Sequence, residues 1–249
     1  MEYLSSLHGP SQTGEKIISY WLDNAIDKQK LLMKVREIKK RTSTRFEDVI
    51  LTAFSASVHK YYSRINRPAP DSLTVFLPIR ITMPDEYIMF DNNFSIGCLR
   101  ICISKVNGQK ISEPNKDSQF FKRLQDITKE NNEFRKCSDI LINFWIIKYL
   151  FTILPAKILK LLLGQSTMIF SNMYGPEKFH TLNNYLASNL TFWVPNRGTT
   201  ALGLSLITYG GNLNLSLIAD KSIINDEKAL IEILEDTVRE INHAYKSIM

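Results

Sequence analysis

The sequence predicts an α+β domain, a mixed β-sheet flanked by helices. Three observations carry that reading. Apolar residues recur at helical intervals in several long segments separated by short β-rich runs. Helices and strands do not alternate regularly, as a wholly parallel sheet would require. Near the C-terminus, Gly210-Gly211 joins two alternating strands, the signal of a tight hairpin. Hydrophobic residues make up 44% of the 249 and charged residues 22%, which suffices for a substantial core. No repeat, low-complexity tract or flexible linker divides the chain, so residues 1–249 read as a single domain.

Residues 1–14 are loop-like, with Gly9-Pro10 and Gly14. Lys16–Asp23 follows as a short strand. A helix is expected from Asp27 to about Arg41, with Leu31, Leu32, Val35 and Ile38 on one stripe. Thr44 and Glu47 have capping-box spacing ahead of a long helix to Arg64. Its small residues Ala53, Ser55, Ala56 and Ser57 permit close approach to a sheet. Leu73–Ile79 is a strand bent or ended by Pro78, and Phe94–Ser104 is another, in which Gly97 permits a bulge. A helix is predicted over Asp117–Phe134. Asp226 or Asn225 caps the last helix, whose inward stripe is Leu230, Ile231, Leu234, Val238, Ile241 and Tyr245.

Asp139–Leu163 is the most apolar part of the chain, but Asn143, Lys148 and Pro155 interrupt it. It reads as a buried helix pair, as an element at a membrane interface or lipid tunnel, or as a span, and the pattern leaves all three open. The aromatics Phe144, Trp145 and Phe151 read as core first and lipid contact second.

The net charge is +6, with no block of five like charges, which argues against nucleic acid as a partner. Basic residues over Lys28–Arg45, and Lys148, Lys157 and Lys160 within the apolar stretch, suit an anionic membrane surface better. Cys98, Cys102 and Cys137 are odd in number and lack partners at zinc spacing, so they read as reduced cytosolic thiols, with no metal and no bound cofactor. Met1–Ser5 has neither a basic nor an apolar leader region, and no signal peptide is expected.

The stretch organising the chain is Thr167–Asp220. An apolar run, Thr167–Phe170, meets Ser171-Asn172-Met173-Tyr174-Gly175-Pro176, where a sharp turn is expected. Strands Ala201–Thr208 and Leu213–Ala219 follow, with Asp220 expected to close their hairpin. There is no phosphate-cradling glycine loop and no nucleophile elbow. His8, His59, His180 and His243 are scattered, without metal or triad spacing.

These motifs, in this order, resemble those of the wax ester synthase/diacylglycerol acyltransferase family. Ser171–Pro176 is similar to its Thr/Ser-Asn-Val-Pro-Gly-Pro signature, with Met173-Tyr174 in place of Val-Pro. Leu206–Asp220 resembles its Ser-Tyr-x-Gly hairpin, with a second acid at Asp226. Glu47-Asp48-Val49-Ile50-Leu51-Thr52-Ala53 resembles Asn-Asp-Val-Val-Leu-Ala-Ala. Leu77–Arg80, Asn92-Asn93-Phe94-Ser95 and Leu7–Pro10 fit further pieces, so the resemblance covers nearly all of residues 4–247.

The resemblance implies one half, the C-terminal one, of a chloramphenicol-acetyltransferase or condensation-domain-like fold. It implies acyl-CoA as substrate, and a long-chain alcohol or diacylglycerol as acceptor. It implies a peripheral setting, on the cytosolic face of the endoplasmic reticulum or plasma membrane. The family's acid/base histidine lies in a His-His-x-x-x-Asp-Gly motif of the other half. Here the residues four beyond each histidine are Gln12, Ser63, Asn184 and Ser247, so the motif is absent and no catalytic residue is assigned.

Asp48, Asn93, Ser171, Asn172 and Gly175 carry over as substrate-lining positions. Asp48 also reads as a helix-start acid, Asn172 as a turn brace and Gly175 as backbone shape. The chain then reads as part of a longer enzyme whose N-terminal half is catalytic, or as a non-catalytic acyl-CoA- or lipid-binding or interaction module that pairs with a full-length homologue. In either case the face that meets the first half is left exposed or covered by another chain.

Overall fold

A computed structural model describes residues 12–23, 29–81, 94–106, 109–110, 116–136, 139–150, 153, 155, 166–177, 185–195 and 200–249. Six of its strands form one mixed sheet. They are β1 (Lys16–Trp21), β2 (Ser72–Arg80), β3 (Phe94–Cys102), β6 (Met168–Tyr174), β7 (Leu202–Tyr209) and β8 (Asn212–Asp220), in the order β1-β8-β7-β6-β2-β3. The pairs β2–β6 and β6–β7 are parallel and the other three antiparallel. A two-residue ribbon, β4 (Lys105–Val106) with β5 (Gln109–Lys110), stands apart.

Helices α1 (Leu31–Thr42), α2 (Phe46–Arg64), α3 (Lys116–Lys136) and α5 (Glu227–Ile248) pack on one face of this sheet. A further helix, α4 (Asp139–Trp145), continues as a π-helical turn over Ile146–Leu150 and lies along β3. The core sits between sheet and helices, where Leu73, Val75, Leu99, Ile101, Met168, Phe170, Leu204, Leu215 and Leu217 meet Val35, Ile38, Ile50, Phe54, Leu234 and Ile241. Strand residues two apart share a face, so this alternate set defines the inner side and the intervening residues the outer side.

Helix starts depart from the expected caps by small, explicable shifts. The expected start of α1 at Asp27 lies outside the described residues. Asp23, at the end of β1, supplies the missing cap instead, accepting from the Leu31 N–H at 3.0 Å. At α2 the reciprocal acid is Asp48 rather than Glu47: its Oδ2 accepts from the Arg45 N–H at 3.0 Å. Asp226 does cap α5, accepting from the Lys228 N–H at 3.0 Å.

Three strand expectations need correction. β3 pairs with β2 in unbroken register from Phe94 to Cys102, so Gly97 makes no bulge. Pro78 does not end β2, which runs on to Arg80. It sits beyond the last pairing with β6, at Phe76↔Ile169, where its missing N–H breaks no ladder bond on that side. Of the Ser171–Pro176 stretch where a sharp turn is expected, Ser171–Tyr174 stay in β6, paired up to Tyr174↔Thr208 of β7, and the strand ends only at Gly175-Pro176.

The hairpin turn is the two-residue type that Gly-Gly allows, with φ of 57° at Gly210 and 77° at Gly211. Asp220 is at the opposite end of β8 and does not close this turn. Buried there, it accepts from the Thr13 N–H and hydroxyl (3.0 and 2.9 Å), the Gly14 N–H (3.1 Å), Lys16 Nζ (2.9 Å) and the Ser222 N–H (2.9 Å). It ties residues 13–16 to the sheet.

Among the described residues, the outer face is covered on one half only. Residues 187–194 cross β7, β8 and β1 as a strap held by side chains rather than by a ladder. Tyr209 Oη donates to the Ala187 carbonyl (2.7 Å), Asn214 Nδ2 to the Leu190 carbonyl (2.8 Å) and Ser216 Oγ to the Phe192 carbonyl. Ser205 Oγ accepts from the Val194 N–H at 3.0 Å, and Trp193 Nε1 donates to the Ser19 carbonyl at 3.1 Å. Gly203 is needed under this strap, since a β-carbon there would lie 3.0 Å from Val194 Cγ1 and 2.8 Å from Ile218 Cγ2.

Candidate functional site: a wedge between two parallel strands

The uncovered half of the outer face belongs to β6, β2 and β3. Thr74, Phe76, Ile96, Ile169 and Ser171 there are half-buried, and Pro78, Cys98, Arg100 and Met173 are exposed. Of these, Phe76, Pro78, Ile96, Cys98, Ile169 and Met173 form an apolar or weakly polar floor that no described segment closes.

At one end this floor splits. The parallel pairing of β2 with β6 stops at Phe76↔Ile169, whereas β6 stays paired with β7 to Tyr174↔Thr208. Leu77–Arg80 and Phe170–Tyr174 therefore part, and among the described residues the β2-facing edge of β6 has no ladder partner there. Backbone N–H and C=O groups on such an edge are obligatory hydrogen-bonding groups in need of a partner. The wedge so formed has an apolar floor and a polar wall.

The sequence-predicted residues divide around this wedge. Ser171 and Asn172 both lie on its β6 wall, but neighbours in a strand point to opposite faces. Ser171 faces the outer floor, and Asn172, on the helix side, is exposed at the rim. Gly175 shapes the rim. Its N–H donates to the Thr208 carbonyl at 2.9 Å, and a β-carbon would sit 2.6 Å from that same oxygen, so only glycine allows the approach. Tyr174 beside it is 84% exposed. Asn93 lies outside the described residues; its neighbour Phe94 starts β3 at the same end of the sheet.

Asp48 is placed behind the sheet, not in the wedge. It is fully buried at the start of α2, with Oδ1 accepting from Asn131 Nδ2 at 2.6 Å. Asn131 Oδ1 in turn accepts from Arg135 Nε (3.1 Å), and Arg135 pairs with Glu47 at 2.8 Å. Burial pushes the Asp48 carboxyl above the usual range, against the Asn131 and Arg45 hydrogen bonds. Its contacts make it the joint between the start of α2 and the end of α3.

Sequence reading missed Arg123. This α3 residue is 3% exposed, and its Nη1 donates to Ser55 Oγ (2.6 Å) and to the Cys102 and Ile103 carbonyls (3.0 and 2.8 Å). Burial lowers its pKa to about 10. It locks the far end of β3 to α2 and α3, away from the wedge. An arginine two residues beyond Phe120-Phe121 was the only signal, and an amphipathic helix offers many such arginines.

One mixed six-stranded sheet, helices on one face and an open strand pair on the other define half of a chloramphenicol-acetyltransferase or condensation-type acyltransferase fold. Solved structures agree. A wax ester synthase/diacylglycerol acyltransferase from Marinobacter aquaeolei VT8 superposes with a TM-score of 0.60 at 14% identity, over 98% of this chain and 52% of that one. The trichothecene 15-O-acetyltransferase of Fusarium sporotrichioides gives a TM-score of 0.62 at 12% identity, over 94% of this chain and 48% of the other. The epimerization domain from the third module of tyrocidine synthetase B gives 0.59 at 10%, over 96% and 50%. The chain spans about half the length of these structures. No curated protein sequence matches it. The family profile described as WS/DGAT C-terminal domain matches residues 110–242, and the chain belongs to that family.

Proposed function

We propose that this chain forms one wall of an acyl-transfer cleft, with the β2–β6 wedge receiving a long-chain acyl-CoA. The single observation carrying this is the wedge itself: an apolar floor of Phe76, Ile96, Ile169 and Met173 ending at the polar edge of Ser171 and Asn172. A fatty acyl chain is matched by such a floor, and a thioester carbonyl by N–H donors at its end. The acceptor is a long-chain alcohol or diacylglycerol. Attack on the thioester needs a base to take the hydroxyl proton as the new C–O bond forms and the thiolate leaves. None of the four histidines lies in the His-His-x-x-x-Asp-Gly motif, so the base comes from an N-terminal catalytic half or a full-length homologue.

That absence favours a second reading, in which this chain binds acyl-CoA without turnover. Purified protein incubated with labelled palmitoyl-CoA and hexadecanol or dioleoylglycerol tests both. Saturable palmitoyl-CoA binding without ester is expected from this polypeptide alone, and Asn172→Ala weakens that binding about tenfold. Ester formed by the chain alone would sink the claim that its base lies elsewhere, and absence of palmitoyl-CoA binding would remove both readings.

A further inference from the structure

Helix α4 is fastened to the sheet by two hydrogen bonds. The buried Ser95 hydroxyl donates to the Ile140 carbonyl at 2.7 Å, and Asn143 Nδ2 donates to the Ile96 carbonyl at 3.0 Å. Those two bonds fix which way the helix faces. Its other side, continued through the π-turn, is apolar and open. Leu141, Ile142, Trp145 and Tyr149 are 56, 52, 58 and 51% exposed, and Ile153 beyond them is 79% exposed. An amphipathic helix of a soluble domain keeps one apolar stripe, turned inward; here Ile140, Phe144 and Ile147 are half-buried on the sheet side and a second apolar stripe faces out.

The chemistry of the stripe is specific. Trp145 and Tyr149 stack, with ring centroids 5.2 Å apart and planes 15° from parallel. The Lys148 ammonium lies 5.2 Å from the Phe144 ring centroid and 6.0 Å from that of Tyr149.

We propose that α4 and the π-turn dock the protein onto an anionic lipid surface. The apolar stripe enters the acyl boundary, and Lys148 meets the headgroup phosphates. Indole and phenol rings are suited to that boundary, where one end of the ring is apolar and the other wet. A lysine stem lies along apolar surface while its ammonium reaches the headgroups. Charge complementarity selects lipid over a protein partner: between Ile140 and Pro176 the chain carries Lys148, Lys157 and Lys160 and no carboxylate. Among the described residues no helix is long and apolar enough to cross a membrane, so the attachment lies in the interfacial plane.

Flotation of the full chain with vesicles tests this, using phosphatidylcholine alone and equal parts phosphatidylcholine and phosphatidylserine. The vesicles hold neither acyl-CoA nor acceptor, so the result is independent of the wedge. The protein is expected to float with the mixed vesicles. Lys148→Gln weakens that binding about fivefold with little effect on neutral vesicles, and the double variant Trp145→Ala/Tyr149→Ala weakens it by at least about tenfold with an unchanged circular dichroism spectrum. Should the double variant lose its fold, brominated lipids supply the readout: they quench wild-type tryptophan emission, and Trp145→Phe removes the quenching while the protein still floats. Flotation of the double variant equal to wild type, quenching that persists in Trp145→Phe, or a Trp145-dependent dimer in place of flotation would each overturn the proposal.

Discussion

The Phe134 ring of α3 lies against the backbone of Gly97 in β3, so closely that a β-carbon at Gly97 would stand 1.9 Å from the ring's Cζ. Both are on the inner face, where Gly97 sits opposite Leu77 of β2. Gly97→Ala must therefore displace the ring and with it the end of α3. Overpacking of this kind costs about 2 kcal/mol, expected as a lower midpoint in urea denaturation. The double variant Gly97→Ala/Phe134→Leu should recover part of the loss, because the shorter side chain vacates the contact. Full loss in both would mean that Gly97 serves its backbone conformation instead.

Asp220 and Lys16 govern acid stability. Burial pushes the Asp220 carboxyl up, but the hydrogen bonds from Lys16, Ser222 and Thr13 outweigh it, and the net pKa lies well below the usual carboxylate range. Below its unfolded value of about 3.9 the unfolded chain binds the proton first, so stability falls as pH drops through that region and below. The contribution is fully present above it. Asp220→Asn leaves Lys16 without its carboxylate and costs about 3 kcal/mol at neutral pH. Its stability should also change less than that of wild type between about pH 4 and pH 2. Urea melts of both proteins across that interval check the sign.

The elements were legible where local pattern and tertiary demand agree. The Val49, Ile50, Ala53, Phe54 and Val58 spacing marks α2, and all five are buried. Gly210-Gly211 marks the hairpin because most side chains disfavour that pair of positive φ values, which glycine adopts freely. The strap was not legible. Residues 187–194 have no period, since they are held by side chains of other strands. The available sign was indirect: Ser205, Asn214 and Ser216 are polar residues within otherwise apolar strands, and each is now seen to bind the strap.

At the wedge, the Ser-Asn and Gly-Pro motif located the wall, while the parting of β2 from β6 depends on register and has no local signature. The apolar run at Trp145 pointed toward core, but its sheet-facing bonds from Ser95 and Asn143 turn it outward.

Asp48 separates a structural role from a substrate-lining one. Its carboxyl is raised by burial, so the folded state holds the proton more tightly than the unfolded chain does. Its contribution is therefore favourable below the unfolded value and is lost as pH rises through the folded one. Asp48→Asn keeps an acceptor for one of the two donors and removes the buried charge, and should cost about 1 kcal/mol at neutral pH. Asp48→Ala leaves the Asn131 amide and Arg45 N–H unanswered and costs about 2–3 kcal/mol. Palmitoyl-CoA binding should survive Asp48→Asn. Binding lost in that variant at unchanged stability would move Asp48 into the site.

The strap offers the last test, because its attachment rests on a few donors. Ser205 is fully buried on the outer face of β7, and its hydroxyl is the acceptor for the Val194 N–H. Ser205→Ala strands that N–H against the sheet, at about 1–3 kcal/mol. The loss should be local, since the core on the opposite face, with Leu204 and Leu206, is untouched. Hydrogen exchange is then expected to quicken at Val194 and along 187–194 while α2 and α5 keep their protection. Tyr209→Phe releases the other end at Ala187 and should quicken the same amides, because both side chains hold one segment. Combining the two should cost less than the sum of the single effects, as two restraints on one strap are coupled. Strict additivity would instead show that the two ends open independently, and that 187–194 covers the face as two separate contacts.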